Sequence, residues 1–288
     1  MQSIPYEAPN SLEEAVQLLE RDAGSKVLAG GTDLLVQVRG GAPSPSAWID
    51  IKRIPELNQV QLSEDGLRLG AAVPAAVIFE NEEIRQRWPG VAEATDLIGS
   101  TQIQGRATLG GNLCNSSPAA DTTPALIASQ ARCVIAGPKG ERTVEVADFV
   151  TGPGQNVLGE GELLVAFELN TPPARCSDAY LRLIPRTEMD IAVVGAGVSL
   201  TLADDGTCSA ARVAIGAVAP TALLVPASAD ALIGSRLDAA ALDQAAEAAS
   251  AVANPIDDKR GTIAYRRRVT GVLVKRAAAI AHQRAQER

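Results

Sequence analysis

The sequence predicts an α+β protein built from more than one unit, and three observations carry that reading. A capped helix is followed at once by a short strand, a Gly30-Gly31 turn and a second helical stretch. Farther on, three Gly-containing turns (Ser63 to Gly66, Gly137 to Gly140, Asp204 to Gly206) each separate two β-rich runs. Between the second and third of them, Pro172-Pro173 interrupts the chain within Asn170 to Ser177, which reads as the best domain boundary. A length of 288 residues allows one to three compact units at roughly 100–200 residues each.

Ser11-Leu12-Glu13-Glu14 has capping-box spacing and opens a helix with Leu12, Ala15, Val16 and Leu19 on one face. Lys26 to Ala29 is a short strand. A second helix begins near Thr32 and stops by Gly40-Gly41, and Trp48 to Ile51 is the strand that leaves this small α/β unit. Val60 to Leu62 pairs with Leu67 to Leu69, and helical patterns then fill Ala75 to Ile98 with a break near Trp88-Pro89-Gly90. From Thr101 to Thr123 Gly, Ser, Asn, Thr and Pro dominate, which predicts a long loop; long loops inside compact domains tend to be functional. Pro124 suits the first turn of a helix running to about Gln130. Arg132 to Ala136 and Arg142 to Val146 form another hairpin, and Leu163 to Leu169 is a further strand. Beyond the boundary come three strands, Tyr180 to Ile184, Val198 to Leu202 and Arg212 to Gly216. Helices follow around Ala229 to Ile233, Asp238 to Val252 and from Ala264 onward. In the last of them Val269, Val272, Leu273, Arg276 and Ile280 alternate an apolar face with a basic one.

Composition narrows the chemistry. Lys plus Arg is 26 and Asp plus Glu is 34, a formal charge of −8, which opposes a broad phosphate-backbone interface. With 2 Trp, 3 Tyr and 3 Phe there is little to stack on unpaired bases, so nucleic acid is not an expected partner. The single histidine, His282, excludes a multi-His metal site and argues against a Ser-His-Asp triad. Cys114, Cys133, Cys176 and Cys208 are well separated, with no C-x-x-C, so the chain offers no zinc ribbon and no iron–sulfur cluster. Reduced thiols, no basic-then-apolar start over Met1 to Ser11, and no apolar run of about 20 residues together lead us to expect a soluble, cytoplasmic protein.

Two glycine motifs remain as the candidates for chemistry. In Leu28-Ala29-Gly30-Gly31-Thr32-Asp33-Leu34 a strand delivers the chain to two glycines and a helix starts directly after them. Glycine allows close backbone approach, and helix-start amides have no internal partners, a combination that suits a pyrophosphate. Thr32 adds a hydroxyl donor, while Asp33 would cap amides or accept from ribose hydroxyls. A plain tight βα turn with a Thr cap accounts for the same residues without a ligand. The second motif, Ala107-Thr108-Leu109-Gly110-Gly111-Asn112, continues through Ser116-Ser117-Pro118 to Asp121 and Pro124, and reads as a loop whose consecutive amides form an anion nest. Asp121 either accepts from sugar hydroxyls or caps the helix at Pro124. Two such loops suggest one elongated phosphate-bearing cofactor cradled from two sides. Gly195-Ala196-Gly197 is no dinucleotide fingerprint: the third glycine is missing and the run enters a strand, where glycines mark tight packing.

In this order the two stretches resemble the FAD-binding medium subunit of the molybdenum hydroxylases, the group of carbon monoxide dehydrogenase and xanthine dehydrogenase. The first is similar to the family's A-G-G-T-D-L and the second to its T-x-G-G-N followed by S-P-x-x-D-x-x-P; Gly161-Glu162-Leu163-Leu164 and Tyr180-x-Arg182-x-x-x-Arg186 extend the likeness along the whole chain. The resemblance implies two flavin-binding subdomains of the vanillyl-alcohol-oxidase type, at 1–57 and 58–174. A C-terminal α+β domain with a three-stranded antiparallel sheet would follow at 175–288. It implies that Val27, Leu28, Ala29, Gly30, Gly31, Thr32, Asp33 and Leu34 wrap the pyrophosphate and ribityl region of a noncovalent FAD. Ala107, Thr108, Gly110, Gly111, Asn112, Ser117 and Asp121 would complete that site. Leu163 or Leu164 would lie against the isoalloxazine ring, or else form a buried strand pair. Ile98 and Ile103 would line the ring or pack in the core. Arg182, where the family often has Lys, would approach the flavin or its acceptor, and Cys114 inside the second motif reads as small apolar filler. The implied function is electron transfer: a large molybdenum–pterin subunit oxidises the substrate, a small [2Fe-2S] subunit relays electrons, and FAD hands them to an external small-molecule acceptor, in a dimer of heterotrimers. Two rivals stay open at this point, a self-contained FAD oxidase or reductase of the same superfamily and a flavin-free scaffold subunit.

Overall fold

The structure, a computed structural model, describes residues 4–288, so the first three residues of the leader reading lie outside it. The chain opens with β1 (Tyr6–Glu7), α1 (Leu12–Arg21), β2 (Lys26–Leu28), α2 (Leu34–Arg39) and β3 (Trp48–Asp50). The three strands form a parallel sheet in the order β1-β3-β2. Ser11 caps α1, its hydroxyl accepting from the Glu14 amide at 3.2 Å, and Ala15 and Leu19 face the core. Helix α2 is different: it is six residues long, reads LLVQVR, and buries none of them.

Next come β4 (Val60–Leu62), β5 (Gly66–Gly70), α3 (Ala75–Phe79), α4 (Glu82–Arg87) and α5 (Pro89–Asp96). The helical stretch breaks where Pro89 starts a new helix, and a second time where the Asn81 side chain caps α4. The expected loop from Thr101 to Thr123 is a correction. It holds two short helices, α6 (Thr101–Gln104) and α7 (Leu109–Cys114), before α8 (Thr122–Ala128). Low periodicity hides them because both are too short to repeat a pattern: α7 has one buried i, i+4 pair, Leu109 and Leu113, behind the Thr108 cap.

Then follow β6 (Arg132–Gly137), β7 (Gly140–Glu145), α9 (Val146–Phe149), a small hairpin of β8 (Val150–Gly152) and β9 (Gln155–Asn156), and β10 (Leu163–Asn170). Strand β10 is central in an antiparallel sheet of order β4-β5-β10-β6-β7. One face of that sheet packs on α3, α5 and α8, around Trp88, Phe149 and Phe167. The other meets the first sheet through Val134, Ala136, Leu163 and Val165.

The C-terminal part contains β11 (Cys176–Leu183), β12 (Val194–Leu202), β13 (Cys208–Gly216), β14 (Leu223–Leu224), α10 (Pro226–Leu232), α11 (Ala239–Val252) and α12 (Ile263–Gln286). Its antiparallel sheet has four strands, β11-β12-β13-β14, not three; the two-residue β14 is too short to leave a sequence pattern. One face is covered by α12, whose buried side is Leu273, Val274, Ala277, Ala278, Ala281 and Ala285. Val272, expected on that face, is 40% exposed: small residues, not the largest apolar ones, make the contact, because close packing is what the sheet and α11 require. The opposite face lies on α8, and this explains the glycines of β12: a Cβ at Gly197 would stand 2.6 Å from the Pro124 carbonyl oxygen. Tight packing is therefore the role of Gly195-Ala196-Gly197.

Candidate functional site

The two glycine motifs, some eighty residues apart in sequence, meet. A Cβ on Gly30 would lie 1.8 Å from the carbonyl oxygen of Arg106, so only glycine lets the β2–α2 turn rest on the residue preceding Ala107. Gln37 of α2 adds a second tie, donating from Nε2 to Asn115 Oδ1 at 2.7 Å. Gly31 has φ +74°, the left-handed conformation that turns the chain out of β2. Along this turn the amides of Gly30, Gly31, Thr32, Asp33 and Leu34 donate to no group of the described residues. Asp33 stands at the helix start but its side chain caps nothing, so the turn is not a Thr- or Asp-capped one. Consecutive outward amides on a half-exposed turn are the donor set an anion needs.

In the second motif the glycines belong to a helix start, not to a loop. Thr108 is the cap of α7, its hydroxyl accepting from the Gly111 amide at 2.9 Å. Gly110 is buried, and a Cβ there would come within 2.4 Å of the Ala71 carbonyl oxygen. Gly111 is exposed and a Cβ would touch only the Thr108 hydroxyl, at 3.0 Å. Asn112 Oδ1 accepts from the Thr122 hydroxyl at 2.6 Å, and the Ser117 hydroxyl accepts from the Ala119 amide at 3.2 Å, which together shape the chain between α7 and α8. Cys114 packs against the main core, and burial pushes its thiol up to about 12, so it is filler with no thiolate chemistry at neutral pH.

Asp121 occupies the cap position of α8 yet makes no capping bond. Its carboxylate is used across the domain seam: Oδ1 accepts from the Tyr180 hydroxyl at 2.9 Å and Oδ2 from Arg182 Nη1 at 2.6 Å. Tyr180 and Arg182 alternate with Leu181 along β11, which places both on the face toward α8. Burial pushes the Asp121 carboxyl up to about 6, against the pull of Arg182 and Tyr180, so it is still largely ionised at neutral pH. The Arg182 side chain is only 6% exposed and its Nε has no partner. A buried guanidinium N–H left unpaired is costly, and here the Asp121 carboxylate on Nη1 offsets part of that cost.

Other expected residues sit deeper. Leu163 and Leu164 are 1% and 4% exposed, on opposite sides of the central sheet, and Ile98 is 8% exposed in the main core. Ile103 is half-buried against Gly99. All four pack as core side chains. Sequence reasoning missed three contributors. Arg106 supplies the carbonyl under Gly30, and Tyr180 was quoted in a motif without a role. Lys52, just after β3, donates from Nζ to the Ala29 carbonyl at 2.9 Å and pairs with Asp50 at 2.7 Å. The only sequence signal for Tyr180 and Arg182 is their i, i+2 spacing in a strand; Lys52 has none.

Residues 2–172 match the family model for the FAD binding domain in molybdopterin dehydrogenase, and residues 179–281 that for the CO dehydrogenase flavoprotein C-terminal domain. The carbon monoxide dehydrogenase medium chain of Hydrogenophaga pseudoflava is 34% identical over 94% of this chain and 94% of its own length. The xanthine dehydrogenase FAD-binding subunit of Escherichia coli O157:H7 is 34% identical over 75% of this chain and 74% of its own. A chain in the solved carbon monoxide dehydrogenase of H. pseudoflava superposes with a TM-score of 0.93 at 35% identity, covering 98% of both chains. One in quinoline 2-oxidoreductase of Pseudomonas putida 86 gives 0.91 at 28% identity, again over 98% of both.

Proposed function

The chain belongs to the family of FAD-binding flavoprotein subunits of the molybdopterin dehydrogenases, or molybdenum hydroxylases, and from that premise we propose that it holds one noncovalent FAD and serves as the electron-transfer subunit of such an oxidoreductase. Bound FAD would supply the redox chemistry, taking up electrons singly and releasing them to an external acceptor. The observation that carries the reading is the meeting of the two glycine motifs, with open amides at Gly30–Leu34 and an exposed Gly111 beside them. Residues Val27–Leu34 hold the pyrophosphate side, and Ala107, Thr108, Gly111, Asn112 and Ser117 line the site opposite. Asp121, itself held by the Tyr180 hydroxyl, pairs with the Arg182 guanidinium through Nη1 and closes this end of the second motif.

In the proposed division of labour a [2Fe-2S] subunit delivers the electrons and a molybdenum–pterin subunit oxidises the substrate, in an assembly of two heterotrimers; membership of the family supports this reading. No described helix is long and apolar enough to cross a membrane. The flavin is held without a covalent link: the single histidine, His282, lies in α12, outside both motifs.

The test uses the isolated chain loaded with FAD. Acid precipitation should release the yellow colour into the supernatant, and FMN should bind far more weakly than FAD. Dithionite should bleach the flavin and an artificial acceptor restore it, whereas carbon monoxide or xanthine added anaerobically should leave it oxidised. Rapid stoichiometric bleaching by either substrate without partner subunits overturns the electron-transfer reading in favour of a self-contained flavoenzyme; failure to take up FAD favours the scaffold.

A further inference from the structure

We propose that Lys52 is a positioning residue that sets the direction of the amides in the first glycine turn, and so sets the affinity for the FAD pyrophosphate. This rests on the reading of Val27–Leu34 as the pyrophosphate loop. The Lys52 ammonium holds the Ala29 carbonyl at 2.9 Å. In a planar trans peptide the carbonyl and the following N–H point in opposite directions, so fixing the Ala29 oxygen aims the Gly30 N–H away from Lys52. On its other side Gly30 lies against the Arg106 carbonyl, with no room even for a methyl group. The first open amide of the turn is thereby gripped from both sides.

Lys52 is itself held. Asp50 Oδ1 pairs with the Lys52 ammonium at 2.7 Å and accepts from the Lys52 backbone amide at 3.0 Å, while Asp50 Oδ2 accepts from the Tyr6 hydroxyl. The Asp50 side chain is 8% exposed and that of Lys52 30%, so water competes little at the carboxylate. The relay Tyr6–Asp50–Lys52–Ala29 crosses all three strands of the first sheet and ends on the turn. Helix α2 cannot do this work, because it buries no side chain against the body of the protein.

The experiment compares Lys52→Met, which removes the donor, with Lys52→Arg, which keeps one. Apo protein is titrated with FAD by flavin fluorescence, and amide hydrogen exchange is followed in the apo state. Lys52→Met should bind FAD at least tenfold more weakly, with faster exchange confined to Gly30–Leu34 and an apo melting temperature within about 3 °C of wild type. Lys52→Arg should recover binding to within about threefold of wild type. Wild-type FAD affinity and unchanged exchange in Lys52→Met overturn the proposal. If Lys52→Met does not fold, Tyr6→Phe takes its place, with an expected loss of about threefold; wild-type affinity there overturns it equally. Should the wild-type chain bind no FAD at all, the cofactor reading fails by that result alone. The exchange comparison still decides whether Lys52 orders the turn.

Discussion

The two Gly-Gly pairs look alike in sequence and divide their work in the same way, but they are held differently. In each pair one glycine exists for packing: Gly30 against the Arg106 carbonyl, Gly110 against that of Ala71. The other is free of backbone contact: Gly31, with its left-handed φ, would meet only the Leu28 and Leu35 side chains, and Gly111 only the Thr108 hydroxyl. The first pair belongs to a turn with five unclaimed amides and an unburied helix behind it. The second is capped by Thr108 and leads through Asn112 and Thr122 to the buried Asp121–Arg182 pair. A shared motif thus forms a turn with unclaimed amides in one place and a built-in corner of the core in the other.

The largest effect should come from adding a side chain at the packing glycines. Gly110→Ala forces a Cβ to within 2.4 Å of a backbone oxygen inside the main core. We expect a loss of about 2–4 kcal/mol in urea unfolding, the upper range for overpacking with backbone displacement. Gly30→Ala pushes against Arg106 at 1.8 Å, but across the seam between the first turn and the second unit. It should separate the two motifs, abolishing FAD uptake with a smaller stability loss than Gly110→Ala. Equal stability losses would mean that the two regions are held alike.

Gly111→Val comes next and should invert the pattern. Nothing but the Thr108 hydroxyl meets its Cβ, so the fold should survive with a melting temperature close to wild type. Branched carbons would then stand where the cofactor approaches, and FAD affinity should fall by more than tenfold in fluorescence titration. Normal flavin content in the purified variant would remove Gly111 from the site and leave the second motif purely structural.

How much of this could be seen in the sequence follows from the range of each interaction. Capping residues, hairpin glycines and the Pro172-Pro173 break act over a few neighbours, so α1, the β4–β5 and β6–β7 hairpins and β11–β13 were legible. Helix α7 was not, since six residues with one buried pair, Leu109 and Leu113, are too few to show a period, and the Thr108 cap and the contact with Ala71 are not visible as a pattern. The same holds for β14, which exists only as an addition to β13. At the site, Gly30, Gly31 and Gly111 announced themselves by residue type. Lys52, Arg106 and Tyr180 did not, because what makes them contributors is the tertiary approach of segments 20 to 80 residues apart. Asp121 was singled out, but as a cap or a sugar ligand; its pairing with β11 is a long-range contact that no local spacing encodes.

The smallest predicted effect concerns that pairing, and it has a definite sign. The Asp121 carboxyl titrates near 6 in the folded chain and near the ordinary 3.8 when unfolded. Between those values the folded state binds more protons, so this group adds stability as pH falls from about 6 to about 4 and withdraws it as pH rises. A shift of this size corresponds to about 3 kcal/mol across the whole window. Asp178, which burial also pushes up to about 6, contributes in the same direction. Comparing wild type with Asp121→Asn cancels the Asp178 contribution, because both proteins keep it. The difference in unfolding free energy between the two, measured in urea at pH 7 and pH 4.5, should therefore widen in favour of wild type at the lower pH. At pH 7 the variant should already be the less stable, since it leaves the Arg182 guanidinium buried without its counter-charge. A difference that narrows on acidification would mean that the pull of Arg182 outweighs burial and that Asp121 titrates below its unfolded value. The second motif would then be anchored by a strong ion pair, where the first is held by the Lys52 and Gln37 hydrogen bonds and by Gly30 packing on Arg106.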